Sequence, residues 1–206
     1  MRRARAPKRG YVVLARKALP VGTVELAQYL IGKIVVRMTP DGVLTGRIVE
    51  TEAYPVGDAS GHAYRGETTR NHALFLSRGH AYVYLAYGLS QMLNVSSEPA
   101  GVGAGVLIRA LEPLEGIAIM QRNRGVQNLR DLARGPGRLT AALDIDRRLD
   151  GIDLCRTGPL WLARDHHGAQ EIGTSVRIGL SREAGRRLRF YIRDNRFISG
   201  PKSLNP

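Results

Sequence analysis

With 206 residues, 43% of them hydrophobic, the chain has apolar material for one well-filled core, whereas two independent domains would each be small. The single cysteine, Cys155, excludes an internal disulfide and any Cys-based zinc site, and no apolar stretch is long enough to span a membrane. The 31 lysines and arginines against 18 acids give a net charge of +13 without any long run of like charge. That balance points to a polyanion partner, most often nucleic acid, or to a solvated or ribosome-associated basic surface.

Residues 1–10 are basic and are not followed by a sustained apolar segment with a cleavage site. We expect a disordered arm that touches phosphate backbone without sequence preference, ahead of one domain over 11–206, in a cytoplasmic, nucleoid-associated protein. Residues 23–31 read as a short helix closed by Gly32. Residues 33–39 and 43–54 read as strands joined by the turn Pro40-Asp41-Gly42. Residues 55–79 are polar and aperiodic, carry His62 and His72, and end just before His80; a connection of that length inside a domain is usually functional. Strands are predicted over 81–88, 92–97 and 105–111, and Pro113 is placed to open a helix running to about Arg124. Gly135-Pro136-Gly137-Arg138-Leu139 leads into a second helix through Leu143, and 159–163, 176–180 and 188–193 supply the remaining strands. Few helices, many strands and no βαβ alternation predict an α+β fold: a mainly antiparallel, curved β-sheet with surrounding helices.

Within this frame, Ile48-Val49-Glu50-Thr51-Glu52-Ala53-Tyr54 puts two carboxylates two residues apart on an apolar strand. Alternation places Ile48, Glu50, Glu52 and Tyr54 on one face, poor material for a dry core. Arg109 sits inside another apolar run, Leu107 to Leu111, and needs a partner, for which Glu50 or Glu52 is the natural candidate. The pair reads either as a structural salt bridge or as a site in which the arginine keeps a carboxylate ready to take a proton from water. Tyr82 and Tyr84 share a strand face, as a buried pair would, while Tyr87 precedes Gly88, where a turn can push its ring out as a stacking surface or wedge for bases. Asn94 in an apolar strand is a satisfied core amide or a reader of a base edge. His62, His72 and His80 near Asp58 lack the close helical spacing of a zinc motif, so no metal is expected; His166 and His167 read as loop residues. No Ser or Cys nucleophile motif appears, and Gly101, Gly103 and Gly105 lack the strand-then-helix setting of a phosphate loop.

Taken in order, Arg47 to Tyr54, Asp58, His62, Arg70-Asn71, Tyr82-Val83-Tyr84, Tyr87-Gly88, Asn94, Val106 to Pro113 and Gly135-Pro136 closely resemble the alkyladenine (3-methyladenine) DNA glycosylase family, over about residues 14–199. The resemblance implies a monomeric, monofunctional base-excision enzyme that needs no cofactor, acts on double-stranded DNA and binds no membrane. Such an enzyme flips alkylated or deaminated purines out of the duplex and hydrolyses the N-glycosidic bond. It assigns Glu52 as the base that activates water, Arg109 and the backbone carbonyl of Ile178 as holders of that water, and Tyr54, His62 and Tyr84 as the rings that sandwich the base. Tyr87 matches the side chain inserted into the duplex, and Asn94 a pocket amide that clashes with the exocyclic amine of normal guanine. Leu74 and Met92 depart from the methionine and cysteine frequent in the family and bear on pocket shape. Lysine occurs only at positions 8, 17, 33 and 202, outside the matched motifs, which leaves no amine for a lyase step. Rival readings are a non-catalytic binder of damaged DNA on the same fold, and an RNA-associated basic protein in which Glu52 and Arg109 form a structural pair.

Overall fold

The structure, a computed structural model, describes residues 10–164 and 170–205. The expectations for the basic arm, apart from Gly10, and for His166 and His167 fall outside these residues.

Helix α1 (Thr23–Leu30) is followed by β1 (Ile34–Thr39) and the long β2 (Gly42–Tyr54), joined through the expected turn. Gly32, at φ +82°, supplies the left-handed residue that reverses the chain after α1. A mostly irregular segment then leads to β3 (Ala81–Ala86), β4 (Ser90–Ser96) and β5 (Gly105–Glu115). Helices α2 (Ile117–Arg124) and α3 (Pro136–Ala142) precede β6 (Leu160–Ala163), β7 (Ile172–Ser175) and β8 (Arg189–Ile192).

Among the described residues, these eight strands form one antiparallel sheet with the order β3-β4-β5-β2-β1-β6, while β8 pairs with the second half of β2 and β7 with β8. β2 thus changes neighbour along its length, from β1 to β8, and the sheet curls around it. The α+β class with a curved antiparallel sheet is the observed one. The main core lies between the sheet and the helices and includes Leu26 and Leu30 of α1, Val49 and Ala53 of β2, Ile108 of β5 and Leu139 of α3. No helix among the described residues is long and apolar enough to cross a membrane.

Two expected elements differ. The helix does not begin at Pro113, because β5 continues through Glu115 and α2 starts only after Gly116, at φ +76°. Pro113 is tolerated in the strand because it faces Gly46 next to a register shift, where the ladder needs no N–H from it. Residues 176–180 do not form a strand either. The strand is β7, four residues earlier, and the chain then leaves the sheet because the N–H of Ile178 bonds a carboxylate instead of a neighbouring strand.

Candidate active site

The chemistry-bearing residues meet where β2 and β5 slip past one another. The register passes from Ile48 opposite Leu111 to Glu50 opposite Ala110 and then Thr51 opposite Ile108, so Val49 is extra on one strand and Arg109 on the other. Ile48, expected beside the acids, is therefore packed in the core with Val49, and the shared face is reduced to Glu50, Glu52 and Tyr54. Thr51 points the other way and donates to the carbonyl of Ala27 in α1.

Both acids have no exposed surface, and the bulged Arg109 bridges them, with Nε 3.0 Å from Oε1 of Glu50 and Nη1 3.1 Å from Oε2 of Glu52. Burial opposes the charge of Arg109, but Glu52 and Glu50 outweigh it and hold the guanidinium above its ordinary pKa. Their remaining partners set the two acids apart. Glu50 also accepts from Nε of Arg189 at 2.6 Å and from the amide and hydroxyl of Ser199 at 2.6 and 2.9 Å, which ties it to β8 and the C-terminal segment. Glu52 accepts from the Ile178 amide at 2.7 Å and from the hydroxyl of Tyr54 at 2.9 Å, and Tyr54 borders a cavity. Burial, and then the adjacent Glu52, push the Tyr54 phenol well above its usual value, so it stays a donor to the carboxylate.

That cavity is bordered by Tyr54, His62, Tyr84, Asn94 and Leu107, with Tyr87 at its edge. β3 and β4 supply Tyr84 and Asn94 as neighbours on paired strands, and the Asn94 amide donates to the carbonyl of Tyr82 at 3.2 Å. His62 comes from the irregular segment after β2, which Asn71 organises by donating to the carbonyls of His62 and Gly66 and accepting from Thr68. The His62 ring is 4.3 Å from that of Tyr84, and its Nδ1 lies 2.9 Å from the Tyr82 hydroxyl. Burial first, and Arg70 second, lower the His62 pKa and favour the neutral imidazole. Tyr82 stacks on Tyr84 at 5.2 Å, and burial raises its phenol to about 12. His62 and Tyr84 are in contact with each other, so the space for a ring is the cavity they border together with Tyr54.

Tyr87 lies at the tip of the β3–β4 hairpin and is 93% exposed. Tyr87 and Gly88, with φ of +51° and +70°, both lie in the left-handed region within the three-residue connection from Ala86 to Ser90. Leu89 beside them is also highly exposed, a second apolar side chain at the tip that the alternating pattern did not single out. Below the tip, Arg65, Arg70 and Arg182 border a groove that adjoins His62.

All eight residues singled out from the sequence are placed in or against this region. Sequence reading missed Arg189, which holds Glu50, and the pairing of Arg177 with Asp58 behind Tyr54. Arg189 carries the signal used for Arg109, a lone charge inside an apolar run, here Leu188 to Ile192. The three histidines do not converge: His62 meets Tyr82, His72 meets Glu67, and His80 meets the Ser77 carbonyl. Among the described residues no group of three or more His, Cys, Asp or Glu is arranged to hold a metal ion.

The model of the family described as "Methylpurine-DNA glycosylase (MPG)" matches residues 18–196. The chain is 66% identical over 206 residues to a Mesorhizobium japonicum protein named "Putative 3-methyladenine DNA glycosylase", covering 99% of each. Proteins of the same name from Paraburkholderia phytofirmans and Chlorobium phaeobacteroides are 51% and 44% identical, over 93% and 88% of this chain and 90% and 92% of their own lengths. The chain belongs to the methylpurine-DNA glycosylase family.

Proposed function

We propose that this DNA glycosylase flips alkylated or deaminated purines out of duplex DNA and hydrolyses their N-glycosidic bond with a water activated by Glu52. The observation that carries the reading is the division of labour between the two buried acids. Glu50 is saturated by Arg109, Arg189 and Ser199, whereas Glu52 is held by Arg109, Ile178 and Tyr54, the last of which borders an aromatic cavity. A carboxylate surrounded by donors serves as an acceptor, the role required of a group that takes a proton from water.

In the reaction the sugar–base bond breaks, and the purine leaves with the bonding electrons while its sugar becomes oxocarbenium-like. Water then adds at the anomeric carbon and gives its proton to Glu52. Arg109 and the carbonyl of Ile178 hold that water, and Tyr54, His62 and Tyr84 stack on the extruded base. Asn94 rejects guanine through its exocyclic amine, and Tyr87 fills the gap left in the duplex. Extrusion costs a few kcal/mol and costs least at weakened pairs, so selection begins before chemistry. Among the described residues no lysine borders the cavity, which supports hydrolysis without strand cleavage.

The test is release of methylated purine from alkylated duplex DNA, with the abasic product checked for strand breaks. Release with intact strands by the wild type, and loss of release but not of DNA binding in folded Glu52→Gln, is the expected result. A folded wild type that binds lesion DNA and releases nothing would make the protein a lesion binder.

A further inference from the structure

Behind Tyr54 lies a second buried ion pair that the proposed hydrolysis does not use. Arg177, with no exposed side-chain surface, places Nη1 2.7 Å from Oδ2 of Asp58 and 2.9 Å from the Ala53 carbonyl, while Nη2 is 3.3 Å from the Ser60 hydroxyl. Its Cζ lies 4.6 Å from the centroid of the Tyr54 ring, and its buried Nε has no hydrogen-bond partner. Tyr54, Asp58 and Ser60 border the cavity and Arg177 does not, so the guanidinium packs against the Tyr54 ring behind that lining. Burial works against the charge of Asp58, but Arg177 and Ser60 outweigh it and keep the carboxylate below its ordinary pKa. The exposed Arg186 adds only a rim contact at 3.2 Å.

A more economical way to hold Tyr54 would be an apolar residue against its ring, since burying two charges costs more than burying a hydrocarbon of the same volume. What an ion pair adds is a field. Its positive end faces Tyr54, so a base stacked on the far face of the ring would lie roughly 8 Å from a guanidinium. A cation on one face of an aromatic ring also weakens the attraction of the other face for a second cation. Asp58, at the cavity border, acts in the opposite sense.

We propose that the Asp58–Arg177 pair sets the charge preference of the base cavity, restraining its attraction for cationic purines so that uncharged ones compete. The inference rests on the glycosylase reading and adds to it two specificity-determining residues. The two residues pull in opposite directions. Arg177→Met leaves an unbalanced carboxylate beside the cavity and restores the ring's pull on cations. Asp58→Asn leaves an unbalanced guanidinium behind the ring.

The measurement is the single-turnover rate of release of 7-methylguanine, cationic in DNA, divided by that of hypoxanthine, which is neutral, both read on one preparation so that the folded fraction cancels. Arg177→Met is expected to raise the ratio roughly threefold or more over wild type, and Asp58→Asn to lower it by a similar factor. Arg177→Lys, which keeps the charge, stays near the wild-type ratio and serves where the Met variant does not fold. Equal loss of both rates with the ratio unchanged would make the pair purely structural and overturn the inference, as would shifts in the same direction. A wild type that releases neither base would remove the glycosylase reading and this inference with it, whereas an unchanged ratio among active variants removes the inference alone.

Discussion

Tyr87 combines conformational strain with nearly full exposure at one residue. A bulky side chain in the left-handed region costs roughly 1–2 kcal/mol, and this one returns nothing by burial because it is 93% exposed. Strain without packing is what a residue shaped for a partner outside the chain looks like. Replacing Tyr87 by Asn would install a residue that adopts the left-handed region more readily. Thermal unfolding of Tyr87→Asn should show unchanged or slightly higher stability, by up to about 1 kcal/mol. Release of damaged bases from duplex DNA should fall about tenfold or more, the worth of one aromatic contact with a base. A loss of stability together with full activity would place the ring in the fold instead. Glu50 and Glu52 differ as instructively. Two residues apart on one strand, they are indistinguishable by alternation, and only Arg189 and Ser199, more than a hundred positions away, decide which acid is committed. For that reason the sequence could suggest a carboxylate partner for Arg109 but could choose the catalytic acid only through resemblance.

At the scale of elements, the site depends on irregularities that periodicity does not encode. The expected boundaries of α1, β1, β2 and β8 lie close to the observed ones because turn residues and apolar alternation mark them locally. The bulges at Val49 and Arg109, the persistence of β5 through Pro113 and the departure of residues 176–180 from the sheet are all settled by the neighbouring strand or by a distant carboxylate. The C-terminal segment is held the same way. Arg189 reaches Glu50, Ser175, the Ser199 and Leu204 carbonyls and Asn205, so one buried guanidinium fastens β2, β7 and the chain end together. Arg189→Met leaves Glu50 buried with half its charge partners, and denaturant unfolding should show a loss of about 3–5 kcal/mol. A change below about 1 kcal/mol would mean that Arg109 and Ser199 alone satisfy Glu50.

For the molecule as a whole, the +13 charge becomes meaningful where it is placed. Arg65, Arg70 and Arg182 border the groove beside His62, next to a hairpin tip carrying Tyr87 and Leu89. On the proposed function, charge at that edge would position a phosphate backbone while the tip meets the bases. Binding to undamaged duplex should weaken with salt, and Arg70→Gln should reduce the slope of log K against log[salt] by about 1 without changing stability. An unchanged slope would move the DNA path elsewhere on the surface.

The central claim is that Glu52 performs the chemistry and Glu50 holds the architecture. It is tested most directly by single-turnover base release from alkylated duplex, measured per folded molecule, for Glu52→Gln and Glu50→Gln side by side. Glu52→Gln should stay bound to DNA and lose release by about a hundredfold or more, the typical contribution of a positioned general base. Glu50→Gln should be strongly destabilised, yet release bases within about tenfold of wild type from the molecules that remain folded. The reverse pattern, with Glu50→Gln inert and Glu52→Gln active, would contradict the account.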